Sequence, residues 1–149
     1  MDRPYVTENA KERERLKSLV ERLSDEELSL PLGDDWTISI ALAHLSFWDQ
    51  RALILVRKWK KTGVVELSPI DIDVTNDSLL STWRALPPRV AANLAVSSAE
   101  EIDHELEEAS SDLIAEIESL GEKFRLYRSI HRKLHLDEIE KTLSNKAKT

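Results

Sequence analysis

The sequence predicts an all-α protein folded as a four-helix bundle. Three observations carry that prediction. Only three glycines and five prolines occur in 149 residues, and these are the residues that break helices most strongly. Apolar side chains recur at spacings of three and four, the period of a helix with one buried face. The balance of 41% apolar to 33% charged residues suits a soluble, helix-rich chain. A chain of this length is most simply one domain, residues 1–149, able to bury roughly two-thirds of its unfolded surface.

The first helix is predicted over about Thr7 to Leu23, where Leu16, Leu19, Val20 and Leu23 make one stripe on an otherwise charged segment. Ser24 and Glu27 then have capping-box spacing, which starts a short new turn. "PLGDDW" reads as a loop, with Asp34 or Asp35 available to cap the next helix. That second helix should run from about Thr37 to Thr62. It is apolar on more than one face as far as Trp48, so its first half belongs in the centre of the bundle.

"GVVELSPIDIDVT" reads as a long extended connection, with a short strand conceivable but lacking a partner. Asn76 can cap the third segment, whose face is Leu79, Leu80, Trp83 and Leu86. Pro87 and Pro88 must break or kink it, because proline lacks the amide donor and clashes with the preceding turn. The capping signal in "SSAEE" restarts the helix, and Ile102, Leu106, Leu113 and Ile117 carry the stripe to Gly121. The fourth helix spans about Arg125 to Leu143, and the tail "SNKAKT" should fray. An antiparallel bundle follows, in which the long link between the second and third helices leaves room for a crossover.

Composition excludes several functions. Acidic residues outnumber basic ones by 28 to 21, a net charge of −7, so the chain lacks the cationic surface that phosphate-rich nucleic acid or anionic lipid requires. The absence of cysteine removes disulfides, thiolate metal sites and a cysteine nucleophile. The charged N-terminus does not read as a signal peptide, and the longest apolar run is too short to span a membrane. A cytoplasmic location is expected.

Among the four histidines, His131 and His135 stand four apart and so share a helical face, with Cβ atoms about 6 Å apart. One ion can be held at that spacing, as in zinc helices of the H-E-x-x-H type. Arg132 stands where the glutamate base would be, which removes the metalloprotease reading. His44 lies in the most apolar helix, with Ile40 before it and Phe47 and Trp48 after it on one face. A buried histidine needs a partner. A backbone carbonyl or an acid is the simple answer, and a metal shared with facing helices is the other. Three histidines with one position open would make a catalytic type of site, suited to zinc first and to nickel, iron or copper as alternatives. His104, in an acidic stretch, reads as solvated. Glu138 shares the face of the pair and is either a ligand, an acceptor orienting an imidazole, or simply a surface carboxylate paired with Lys133 or Lys141.

"DWTISIALAHLSFWDQRA" followed much later by "RSIHRKLHLDEIEKTL" resembles the DinB-like superfamily, in particular its maleylpyruvate isomerase N-terminal-domain branch. Trp36, His44, His131, His135 and Ile139 stand at the positions that carry the resemblance, and "NDSLLSTWRALP" is also similar to that branch. The likeness covers about Leu16 to Leu143, without the C-terminal domain of the isomerase pattern. It implies a four-helix bundle with one divalent metal on three histidines at the base of an open cleft. It also implies metal-dependent chemistry on small molecules: thiol S-transfer or isomerisation with a low-molecular-weight thiol, or hydrolysis.

The expected protein is therefore a metal-dependent enzyme with His44, His131 and His135 as ligands. Any thiol must arrive as a co-substrate, because the chain has none. Glu138 and Asp49 are the candidates for a general base. Phe47, Trp48 and Trp83 are placed to wall a pocket, although core packing is the simpler role for each. Two rival expectations are a bundle that sequesters a metal or small molecule without turnover, and a structural bundle or homodimer whose histidines are satisfied core polars.

Overall fold

The structure, a computed structural model, describes residues 3–148. Seven α-helices lie among them, and four long ones form the bundle: α1 (Pro4–Arg22), α3 (Ile38–Thr62), α5 (Pro88–Glu108) and α7 (Ser129–Ala147). Shorter helices α2 (Asp25–Leu28), α4 (Ile72–Ala85) and α6 (Ser111–Glu118) occupy the connections. No helix among the described residues is long and apolar enough to cross a membrane.

The sequence signals explain most boundaries. Ser24 caps α2 in a complete capping box with Glu27. Gly63 ends α3 at φ 74°, a left-handed conformation that glycine adopts without Cβ strain, and its amide donates to Trp59 O. Every residue from Ile38 to Ser46 is buried, as expected for a helix at the centre of the bundle. Leu16 and Leu19 of α1, Leu42 and Leu45 of α3, Ala92, Ala95 and Ala99 of α5, and Leu136 and Ile139 of α7 meet in one core. The alanines of α5 let its backbone approach α3 closely.

The bundle runs up–down–down–up. Ser46 of α3 meets Ser98 of α5 at 2.9 Å, and Arg57 further along α3 pairs with Glu105 further along α5, so these neighbours are parallel. Asn9 bonds the amide of Ser129 and Arg22 bonds Glu140, so α1 and α7 are parallel too. Contacts of α3 with α7 run the other way: His44 meets His131, and Asp49, further along α3, meets Arg128. The crossover that the long link permits is thus present, and the fully antiparallel arrangement is corrected. Trp59 Nε1 donates to Glu66 O, which holds the returning link against α3.

Several expected details differ. Residues 31–37 form a small hairpin, β1 (Pro31–Gly33) and β2 (Trp36–Thr37), rather than a loop. Asp34 and Asp35 both take positive φ, 51° and 65°, as the centre of a two-residue turn of this hand requires, and Thr37 caps α3 in their place. Asp71, not Asn76, caps α4; the helix starts five residues earlier, and Asn76 lies within it. Residues 63–71 carry no strand. Proline 87 and 88 do separate α4 from α5, but α5 runs unbroken through Ser97 and Ser98, because Ser98 turns inward to Ser46 and Gln50 instead of capping. The actual restart is at Ser110, which caps α6. α7 starts at Ser129, not Arg125. It remains helical through Ser144–Ala147, while Thr149 of the expected frayed tail lies outside the described residues.

Candidate metal centre

Two helices deliver three imidazoles to one point. His44 projects from the buried first half of α3, and His131 and His135 project from successive turns of α7. His131 Nε2 lies 2.8 Å from His44 Nε2 and 3.2 Å from His135 Nε2. The three are the metal-capable cluster among the described residues. His104, as expected, is exposed and takes no part.

Protonation is strongly disfavoured here. Burial pushes His44 down to about 3, with His135 adding to the effect. Burial likewise pushes His131 down to about 2, followed by repulsion from His44 and His135 and then from Arg128 and Arg132. His135 is also lowered by burial, opposed by Glu138. Three neutral rings present three lone pairs, the form in which imidazole binds metals.

The donor set fits a divalent ion. Tetrahedral zinc with Zn–N near 2.0–2.1 Å sets its nitrogen ligands roughly 3.3 Å apart. The His131–His135 pair, at 3.2 Å, matches this, and the His44–His131 pair, at 2.8 Å, would open by about half an ångström. Hydrogen bonds among the rings are the alternative: His44 and His135 would each donate from Nε2 to His131. That arrangement leaves their buried Nδ1 atoms as acceptors, and neither Nδ1 has a hydrogen-bond partner. With Nε2 given to a metal, Nδ1 becomes a donor instead. Glu138 Oε1 stands 3.6 Å from Nδ1 of His135, one small adjustment from accepting. For His44 the side chain of Asn76 favours a protonated ring without making a hydrogen bond to Nδ1, and its Oδ1 accepts from Trp48 Nε1 at 3.0 Å.

Aromatic rings enclose the cluster. Trp83 meets His44 edge-on at 5.5 Å, and Trp48 does so at 6.4 Å. Phe47 packs on Trp48 and Trp83 and so backs these walls. Trp36, at the end of the hairpin, contributes more than its place in the sequence suggested. Its ring centre is 4.8 Å from His44, and it stacks on His135 at 6.1 Å and 24°. The signal was its position just before a capped helix that carries His44 two turns on.

Asp49 is placed among cations. Its carboxylate receives Arg128 at 3.0 Å and Arg132 at 3.2 Å, and both oxygens are occupied. Arg132, which sequence reasoning used only to exclude a protease, is completely buried. Lys133 pairs with Asp137 rather than with Glu138. A groove of about 400 Å³ lined by Arg3, Tyr5, Phe124, Tyr127 and Ile130 includes no member of the histidine cluster. Its volume alone gives it no chemistry, whereas three converging lone pairs define one.

Fold and site together define an all-α bundle with a three-histidine cluster that could hold a metal ion. A sequence model of the DinB superfamily matches residues 8–138, and the chain belongs to that superfamily. Comparison with curated proteins and with solved structures gives no match.

Proposed function

We propose that this protein is a divalent-metal-dependent enzyme acting on a small molecule by thiol S-transfer, isomerisation or hydrolysis. The observation that carries the reading is the convergence of three neutral imidazoles, 2.8 and 3.2 Å apart through Nε2, with no carboxylate or thiolate in the cluster. His44, His131 and His135 would hold the ion, zinc by preference, leaving a position open. When bound, such an ion acidifies a coordinated water or thiol and polarises an electrophile beside it.

The chain's own residues supply the rest. Glu138 would hold the Nδ1 proton of His135 and so present Nε2. Trp36, Trp48 and Trp83 exclude water from the rings they touch, which strengthens polar interactions inside. Asp49 would act through the arginines that occupy it, and Glu138, half-exposed, is the better placed of the two acids to move a proton.

Metal analysis of untagged protein tests the site. One divalent ion per chain is expected, lost in His44→Ala and in His131→Ala; no ion under metal-replete conditions would overturn it. Transfer assays pairing low-molecular-weight thiols with a reactive electrophile, run beside ester and amide hydrolysis, then test turnover. Stoichiometric metal without turnover in any of them favours a sequestering protein instead.

A further inference from the structure

Helix α7 presents a problem of orientation. Its apolar residues do not select one face: Leu136 and Ile139 are fully buried, yet Ile130 and Leu134 are 50% and 56% exposed. Those two precede His131 and His135 by one residue each. A rotation of α7 by one residue, about 100°, would bury Ile130 and Leu134 in exchange for Leu136 and Ile139, a near-even trade, and would swing both histidines away from His44. Hydrophobic burial alone therefore does not hold the histidines where they are.

The residue that opposes such a rotation is Arg132, whose side chain is 1% exposed. Its guanidinium makes a two-pronged contact with Asp103 of α5, Nη1 and Nη2 each donating at 2.8 Å. It reaches Asp49 of α3 at 3.2 Å through Nη2, and Nη1 donates to the carbonyl of Asn9 on α1 at 3.1 Å. All four long helices thus meet at one side chain. Asp103 also takes Arg13, and the second oxygen of Asp49 takes Arg128. The axial position of α7 is fixed separately. Its N-terminus has no side-chain cap of its own, and Asn9 Oδ1 accepts from the amide of Ser129 at 2.9 Å.

We propose that Arg132, with Asp49 and Asp103, is the positioning device of the metal site, fixing the rotation of α7 so that three Nε2 atoms converge. A buried ion cluster is weak grounds for stability, because apolar residues of similar volume often stabilise a fold equally well. Its planar fork has a geometry that apolar packing does not impose. The proposal rests on the metal reading of the histidines.

The test compares wild type with the triple variant R132M/D49N/D103N, which removes the three buried charges together at nearly constant side-chain volume. Arg128 and Arg13, partly exposed, keep the carbonyl of Trp48 and the carboxylate of Glu14 as partners. Cobalt(II) is the probe, since its visible spectrum reports ligand geometry. The triple variant should keep its helical content and unfold cooperatively, yet bind cobalt(II) about 10–100-fold more weakly and with an altered spectrum. Wild-type affinity and spectrum in the folded variant would overturn the proposal. In metal-free protein, imidazole C–H proton shifts give a second readout, because Trp36 and Trp83 impose ring-current shifts on His44 and His135. Loss of those shifts in the triple variant supports the proposal, and unchanged shifts overturn it. Should wild type bind no cobalt(II), the metal reading fails, and the ring-current shifts still decide whether the cluster sets the rotation of α7.

Discussion

His131 on α7 sets its Nε2 2.8 Å from that of His44 on α3, across an interface between two antiparallel helices. An ion held there would tie α3 to α7 in the folded chain alone, so binding should stabilise the fold. At a free zinc concentration 100 times the Kd, linkage gives about 2.7 kcal/mol. For a chain of this size that is a rise of roughly 5–10 °C in melting temperature. Differential scanning fluorimetry with zinc and with chelator measures it. A wild-type shift that survives in His131→Ala would mean the ion binds elsewhere.

Acid should destabilise the metal-free protein through these same rings. Their pKa values in the folded state, about 3 for His44 and about 2 for His131, lie below the usual 6.5. Above about pH 6.5 the rings are neutral in both states and contribute no pH dependence. Below it the unfolded chain takes up protons that the folded chain refuses, so stability falls from pH 6.5 down toward those lower values. At pH 5.5 the loss is about 1.4 kcal/mol per ring. Urea denaturation in chelator at pH 7.5 and 5.5 should show the double variant His44→Gln/His131→Gln losing less than wild type. Equal losses would place the effect in the carboxylates that both proteins share.

Three of the four tryptophans surround the site, while Trp59 packs on Phe124 in another cluster. Copper(II) or cobalt(II) should therefore quench much of the intrinsic fluorescence. Trp59→Phe should leave that quenching in place, whereas Trp36→Phe should reduce it. Quenching that disappears with Trp59 would contradict the assigned site.

The hairpin turn offers a stabilising change that leaves the chemistry alone. Asp35 holds φ 65° without the freedom of glycine. Asp35→Gly should stabilise by about 0.5–1 kcal/mol, because the left-handed conformation costs about 1–2 kcal/mol for a residue with a Cβ and the greater chain entropy of glycine takes back about 0.5–1 kcal/mol of that. Thermal unfolding measures the gain, and the zinc Kd should not change. A loss of stability would mean that the aspartate side chain contributes more than its backbone costs.

The long helices were legible because burial imposes a period, and the stripes at Leu16–Leu23 and Ile102–Leu106 state it openly. The three histidines were legible from spacing and from the apolar setting of His44. What stayed hidden depends on partners distant in sequence. Ser97 and Ser98 carry a helix-start signal, yet Ser98 is used in a polar contact with Ser46, which no local pattern reveals. Asp34-Asp35 lacks the glycine that usually marks a tight hairpin. Nothing in the segment around Arg132 signals its burial. Only the convergence of Asp49, Asp103 and Asn9 explains its burial. The parallel course of α3 and α5 is a property of the assembled bundle, and the length of the link merely allowed it.

The up–down–down–up order also has a consequence in time. Helix α1 lies against α5 and α7, both made long after it leaves the ribosome, so its apolar stripe must wait in the nascent chain without its neighbours. The site waits longer still, since His44 meets a histidine synthesised 87 positions later. An ion that requires all three imidazoles can be taken up only by a chain whose last helix has been translated and docked. On the metal reading of the site, loading would then be the closing event of biogenesis, after the last helix is in place.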